Sequence, residues 1–256
     1  MEEERVPPAT GGVVRLVTAA LDKAIGLPAD TIARNVDRLR RRHTSGGDRH
    51  VIRALERQYL AAVTSTGAGA GATAAAPGVG TGVALALTAG EFATFTAASA
   101  FYALSVAHVH GVRVDDLERR RALVLAVMLG DVGAETVQKA ARTSGAYWGR
   151  RLTKALPMET VNRINGVLGP RFVTKYGTKQ GVIVVGRVLP FGIGALIGGS
   201  ANMAIGYGVV RAVRTAFGPA PEQAASNTER REPGVSDHPV SGRGPEDEGP
   251  ERHWTS

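Results

Sequence analysis

The middle of the chain holds the first residues whose types and spacing could do chemistry. His108 and His110 lie two residues apart, and Asp115 and Asp116 follow soon after. On a helix, residues two apart point to different faces, so the two imidazoles cannot bind one metal ion as an i, i+4 pair would. The chain also contains no cysteine, which excludes thiolate ligands, disulfides and a cysteine nucleophile. We therefore expect no metal site.

Two glycine-rich segments have some likeness to phosphate-binding loops. The segment Gly192-Ile193-Gly194 follows an apolar run, but it lacks the acidic residue and the βαβ pattern that a dinucleotide site needs. The glycines between Gly67 and Gly71 are not followed by Gly-Lys-Ser/Thr. No Ser, His and Asp residues form a recognisable triad. We therefore expect no catalytic residues and no cofactor, and the sequence names no substrate.

Two long apolar stretches, residues 77–110 and 181–210, are the strongest feature of the sequence. Each is built from Gly, Ala, Val, Leu and Thr, and each holds a single charge, Glu91 in the first and Arg187 in the second. Two charges buried in apolar surroundings need partners, so these two residues are a candidate buried pair. The alternative is that Arg187 extends its head group to a membrane interface.

Small residues recur every four positions in both stretches, so they share one helix face. Such stripes allow close helix contact in membranes and in soluble bundles alike. The candidate residues for helix packing or for lining a pocket are Gly82, Gly90, His108, Gly194, Gly198, Asn202 and Gly206. We predict that the stretches form two apolar helical hairpins that pack through these stripes.

The lengths of the stretches leave several relations to a bilayer open. A spanning helix needs about 20 mostly apolar residues, and residues 82–107 are long enough. Pro190 interrupts the second stretch, because proline kinks or begins a helix. Full spanning, re-entrant insertion, interfacial insertion and a hairpin buried in a soluble domain all fit these lengths.

Basic residues gather outside the apolar stretches. Positive charge suits the anionic cytoplasmic leaflet, at about 1 kcal/mol for each basic residue near the surface. The candidate contacts to anionic lipid are Arg40, Arg41, Arg42, Arg150, Arg151 and Lys154. The alternative is a solvated helix face. We expect no nucleic-acid partner, because the basic segments lack interleaved stacking aromatics and any known motif.

The chain divides into three parts. Residues 1–10 are predicted to be a flexible N-terminus, residues 11–218 a single helical domain, and residues 219–256 a disordered acidic tail. The tail is rich in Pro, Gly, Ser and Glu and has almost no apolar residues, so it cannot bury enough surface to order itself. No run alternates apolar and polar residues, so we predict an all-α helical bundle. Short helices are predicted at residues 157–168 and 171–176, on either side of Pro170.

Motifs spread along the chain resemble the EcsC protein family. Two of them flank or interrupt the apolar stretches: Pro77-Gly78-Val79-Gly80-Thr81 and Gly186-Arg187-Val188-Leu189-Pro190-Phe191-Gly192-Ile193-Gly194. Others are Ala100-Phe101-Tyr102, His110-Gly111, the run from Glu118 to Leu123, Leu129-Gly130, Gly198-Gly199, Asn202, Arg211, Ala216 and Phe217. Their order and spacing cover residues 24–221. The family is bacterial and is named from a gene beside an ABC transporter. The resemblance implies a helical fold and a membrane connection, and it supplies no catalytic residues.

Two functions are consistent with these features. The first is a membrane-associated protein on the cytoplasmic side, with a scaffolding, regulatory or lipid-contacting role; the acidic start at Met1-Glu2-Glu3-Glu4 lacks the apolar run of a secretory signal. The second is a soluble helical protein that binds an apolar ligand in a cavity near Glu91, His108 and Asn202. A membrane-protein partner is compatible with the first function, and the oligomeric state is not indicated by the sequence.

Overall fold

A computed structural model describes the backbone of residues 8–74, 81–112, 115–142, 147–186 and 193–221. Side chains are described for residue 12 and for residues 14–65, 89–112, 115–142, 147–176 and 203–221. Residues 1–7 of the predicted flexible N-terminus, residues 1–10, and most of the predicted disordered tail lie outside these ranges. Residues 1–223 form one compact unit.

The described part of the chain is all α, which confirms the predicted fold class. It contains nine helices and no strand: α1 (Pro8–Ile25), α2 (Ala29–Arg42), α3 (Gly47–Ala74), α4 (Thr81–Val109), α5 (Leu117–Leu129), α6 (Asp131–Ala140), α7 (Trp148–Lys154), α8 (Met158–Gly186) and α9 (Ile193–Phe217). Helix α1 begins at Pro8, three residues before the predicted start of the domain.

Short polar and glycine signals set several helix ends. The side chain of Asp116 accepts a hydrogen bond from the Arg119 amide at 2.9 Å, so it satisfies one of the free N–H groups at the start of α5. Gly130 ends α5 with φ 69°, a left-handed conformation that favours glycine. Helix α6 begins at the next residue, and the two helices therefore meet at a sharp corner.

Helices α3 and α4 pack against each other as a hairpin, and α9 packs along α3. Among the described residues α8 packs mainly on α5 and is not in close contact with α9, so the predicted second hairpin is not a packed one. The first apolar stretch is essentially one helix, α4, whose partner is α3. The second stretch is shared between the end of α8 and most of α9, and residues 187–192 between them lie outside the described part. Helices α1 and α2 pack on α4, and α5 packs on α8, so the core lies around the C-terminal half of α4 and the whole of α5.

The prediction of two short helices on either side of Pro170 is wrong, because α8 is continuous through this residue. A proline inside a helix loses one hydrogen bond and crowds the carbonyl four residues earlier, here that of Gly166. Pro170 is exposed, whereas Leu168 and Phe172 are both fully buried. The apolar face on either side of the proline packs into the core, and this burial offsets the local cost.

Candidate functional site

Four helix segments without a charged residue are directed toward the same end of the molecule. Residue contacts show that α3 and α9 are antiparallel, because Gly206 lies on Val63 and Arg214 binds Glu56. Helices α3 and α4 are also antiparallel. Tyr59 of α3 bonds Ser99 of α4 at 3.0 Å, and the later α4 residue Tyr102 bonds the earlier α3 residue Glu56. The end of α3 and the starts of α4 and α9 therefore lie together.

Helix α8 points toward the same end. The ring of Tyr176 lies 5.6 Å from that of Phe92 and 6.3 Å from that of Phe95, in the N-terminal half of α4. From Tyr176 the helix continues for ten residues to Gly186. We call these four segments, residues 66–74, 81–90, 181–186 and 193–202, the hairpin ends. None of them contains Asp, Glu, Lys or Arg.

The predicted lipid-contacting arginines lie at the opposite end of the bundle. Arg40 donates two hydrogen bonds to Asp48, at 3.0 and 3.4 Å. Asp48 stands near the start of α3, about 39 Å from Ala74 at a rise of 1.5 Å per residue. Arg150 bonds His110 at 2.7 Å, just past the C-terminal end of α4. Arg41, Arg42, Arg151 and Lys154 adjoin these residues in sequence and are exposed, and together with Arg40 and Arg150 they form what we call the basic end.

The predicted small-residue stripes have different surroundings along their length. Gly206 is buried, and a Cβ atom there would lie 3.1 Å from Val63 Cγ2 and 3.2 Å from Leu60 Cδ2. This glycine therefore allows α9 to approach α3, which lies outside the two apolar stretches whose stripes were predicted to pack together. Gly90 differs, because it is exposed and no described atom lies within 4 Å of a Cβ built on it. Its predicted packing role is not supported by the described residues.

The other predicted stripe residues lie on helices whose local side chains are not described. Gly82 is in α4, and Gly194, Gly198 and Asn202 are in α9. Of the candidate buried pair, Glu91 is half-buried, and Arg187 lies outside the described residues. The pairing stays a prediction.

The predicted single cavity near Glu91, His108 and Asn202 is wrong. Because α4 is one continuous helix, its residues 91 and 108 are about 25 Å apart along the axis. His108 instead lines a cavity of about 250 Å³ at the other end of α4, together with Asp30, Asp115 and Arg120. In the described part of the chain, no group of three His, Cys, Asp or Glu side chains is placed to hold a metal ion.

A buried polar network joins α3, α4 and α9, and the sequence analysis missed it. Arg214 donates to both carboxylate oxygens of Glu56, at 2.8 and 2.6 Å, and the Tyr102 hydroxyl donates to the same carboxylate at 3.4 Å. The ring of Tyr102 stacks on Tyr59, with centroids 5.0 Å apart. Ser99 completes the network, because its hydroxyl donates to the Phe95 carbonyl at 2.8 Å and so accepts from Tyr59.

Burial raises the pKa of both Tyr59 and Tyr102 above the usual range for tyrosine. The two phenols are therefore protonated at neutral pH and act as hydrogen-bond donors. These hydrogen bonds hold α3, α4 and α9 together, which is a structural role. The sequence signal was available, since Glu56 falls on the apolar face of α3 between Ile52 and Tyr59, at helical spacing.

His110 is a second buried polar residue with an unusual environment. It is 8% exposed, and its ring stacks on Phe217 with centroids 5.5 Å apart. Because Arg150 donates to Nδ1, the ring proton of the neutral form is on Nε2, which is buried without a described hydrogen-bond partner. Burial, and then the charge of Arg150, lower the pKa of His110 to about 4. The imidazole is neutral at physiological pH.

One described helix segment, Ala89–Val109, is long and apolar enough to cross a membrane by length and composition. It is 67% buried inside the protein, because it forms the centre of the bundle. Such burial is equally typical of the core helix of a soluble protein. The chain matches no protein-family model, no curated protein and no solved structure.

Proposed function

We propose that this chain is an EcsC-like, membrane-associated protein whose hairpin ends dip into one leaflet, and that it has a scaffolding, regulatory or lipid-contacting role. The observation that carries the proposal is the separation of charge along the bundle. Four helix segments without a charged residue are directed toward one end, and the exposed arginines of α2 and α7 lie at the other. The order of the EcsC-like motifs supports the same interpretation.

The burial of α4 favours shallow insertion over full spanning. Two thirds of the segment Ala89–Val109, 67%, is buried inside the protein, and α2, with its four exposed arginines Arg34, Arg38, Arg41 and Arg42, packs on α4. We therefore assign lipid contact to residues 81–90 of α4, a length of about 15 Å. That is about half the hydrocarbon thickness of a bilayer, about 30 Å.

Exposed apolar residues continue from the hairpin ends into the described part of α9. Met203 and Tyr207 are 39% and 52% exposed and lie four residues apart on one face. An amphipathic tyrosine at the edge of an apolar surface is typical of a membrane interface. In this arrangement Tyr207 lies at the head-group level and the uncharged ends lie deeper.

The basic end cannot contact the same leaflet when the hairpin ends are inserted. Arg40 and Arg150 lie about 40 Å from the hairpin ends by helix length. The two predicted modes of membrane contact are therefore alternatives. We assign the contact to the hairpin ends, and the two modes are distinguishable experimentally.

Membrane fractionation of the chain at native expression level tests this assignment. We expect retention through both high-salt and carbonate washes. Release by salt alone would assign the contact to the basic end instead. Recovery of all the protein in the soluble fraction would contradict membrane association and favour a soluble ligand-binding protein.

A charge placed in the hairpin ends gives a sharper test. Gly198→Glu should weaken vesicle binding by up to about a hundredfold, because a charged side chain in the bilayer core costs about 2.5–3.5 kcal/mol. The matched control is Gly166→Glu, at an exposed helical glycine with open space around it. Equal binding by the two variants would reject insertion at this position. The absence of native cysteine also permits single-cysteine fluorophores at residue 84 and, as a control, residue 45, and only the first should report an apolar environment.

A further inference from the structure

A cavity of about 430 Å³ opens beside the ion pair of α3 and α9, near the basic end. One turn of α3 forms one side of it through Arg49, Ile52 and Arg53. Arg214, Glu56 and Tyr147 also line it. Three of these side chains are therefore guanidinium groups, and one is a carboxylate.

The carboxylate is already neutralised within the protein. Both carboxylate oxygens of Glu56 accept hydrogen bonds from Arg214, at 2.8 and 2.6 Å. Glu56 is only 8% exposed. Glu56 and Arg214 therefore cancel as charges. Arg49 and Arg53 are exposed, and among the described residues neither one forms an ion pair or a side-chain hydrogen bond. The cavity consequently has a net charge of +2 from these two side chains.

Arg49 and Arg53 are one helical turn apart, so they share a face of α3 with about 5–6 Å between their Cβ atoms. Guanidinium groups at this spacing can converge on one small anion. A single arginine balances a carboxylate, whereas two balance the double negative charge of a phosphate. Arginine also presents a planar set of donors that suits the oxygens of phosphate.

Tyr147 supplies an aromatic side to this cavity. Its backbone is left-handed, with φ 72°, a conformation that is rare and unfavourable for a bulky side chain. The strained residue is held by a hydrogen bond from its amide to the Thr215 carbonyl at 3.1 Å. Its ring packs so closely on Gly218 that a Cβ atom there would overlap it. The residue is nonetheless 44% exposed, and it lines the cavity.

We propose that Arg49 and Arg53 bind the phosphate group of a phosphorylated small molecule or lipid head group in this cavity, with the Tyr147 ring against the rest of the ligand. The site is distinct from the hairpin ends, since Glu56 is about 27 Å from the end of α3. Loss of phosphate binding therefore leaves membrane insertion intact, and the reverse also holds.

Calorimetric titration of the full chain with inorganic pyrophosphate tests the site. We expect saturable binding that Arg49→Gln with Arg53→Gln weakens by about tenfold or more for each arginine, since a hydrogen bond to a charged group is worth about that factor. The matched control is Arg38→Gln with Arg42→Gln, an exposed pair at the same spacing on α2. It changes the net charge equally and should leave pyrophosphate binding nearly unchanged.

A second variant separates charge from geometry. Arg49→Lys with Arg53→Lys keeps both positive charges but removes the planar donor sets, so we expect most of the affinity to be lost. Thermal unfolding of every variant checks that it is folded. Absence of saturable binding to wild type overturns the proposal, and so does an equal loss in the α2 control, which would indicate a merely basic surface.

Vesicles distinguish the two sources of phosphate. Phosphatidylcholine vesicles with and without phosphatidate are compared for wild type and for the Arg49→Gln, Arg53→Gln variant. Binding of pyrophosphate without an arginine-dependent gain from phosphatidate assigns the site to a soluble phosphorylated molecule. A gain from phosphatidate that disappears in the variant assigns it to a lipid head group. Dependence on phosphatidate that the variant retains overturns the assignment of lipid phosphate to this cavity.

Discussion

Arg214 and Glu56 face each other across the α3–α9 contact, and the guanidinium binds both carboxylate oxygens, Nε to Oε1 at 2.8 Å and Nη2 to Oε2 at 2.6 Å. The two residues are 158 positions apart in the chain. The carboxylate is nearly buried, with a side chain 10% exposed, while the arginine side chain is 64% exposed. The pair fixes the register of α9 on α3.

Removing the arginine should cost more than removing both charges. Arg214→Ala leaves a nearly buried carboxylate whose remaining bond is the long one from Tyr102, and we expect a loss of about 1–3 kcal/mol in the free energy of unfolding. Glu56→Gln combined with Arg214→Ala should recover part of this loss, because no buried charge remains. Urea unfolding of the wild type, both single variants and the double variant measures the coupling. Strictly additive losses would show that the two groups do not interact.

The close approach at Gly206 predicts a strong dependence on side-chain size. Gly206→Leu should lower the free energy of unfolding by about 1–3 kcal/mol, because Val63 and Leu60 already occupy the space. Gly208 lies on the same helix but is exposed, with open space around it. Gly208→Ala should therefore stabilise the protein by about 0.5–1 kcal/mol through helix propensity. A similar effect at both sites in chemical denaturation would show that α9 does not pack on α3 at Gly206.

His110 predicts a loss of stability in mild acid. Its pKa is about 4 in the folded protein, against about 6.5 in an unfolded chain. The unfolded state therefore binds the proton first as the pH falls. This contribution to stability is complete above about pH 6.5 and is lost progressively toward pH 4, by up to about 3 kcal/mol.

The free energy of unfolding measured between these two pH values tests this assignment. His110→Gln should remove that part of the pH dependence, whatever its effect on stability at neutral pH. If the variant and the wild type lose stability equally over this range, acid sensitivity arises from other groups. The expected direction follows from burial and from the Arg150 charge, both of which disfavour the imidazolium.

The sequence determined the elements of this protein and some of their contacts. The absence of runs that alternate apolar and polar residues predicted an all-α fold. Cysteine chemistry was excluded by composition. The small residue at position 206 predicted close helix contact because a missing side chain has the same consequence in any helical packing. These are local properties, which short stretches of sequence carry.

Tertiary structure decided everything that depends on long separations in the chain. The bond between Glu56 and Arg214 could not be predicted, because nothing local links residues in α3 and α9. From the sequence alone, Pro170 predicts a break between two helices. The helix continues because Leu168 and Phe172 on either side of the proline are buried in the core. The predicted lipid-contacting residues and the apolar stretches alternate in sequence, but they lie toward opposite ends in space because α4 and α9 both run antiparallel to α3. That antiparallel packing separates the charges, and no helix carries the separation alone.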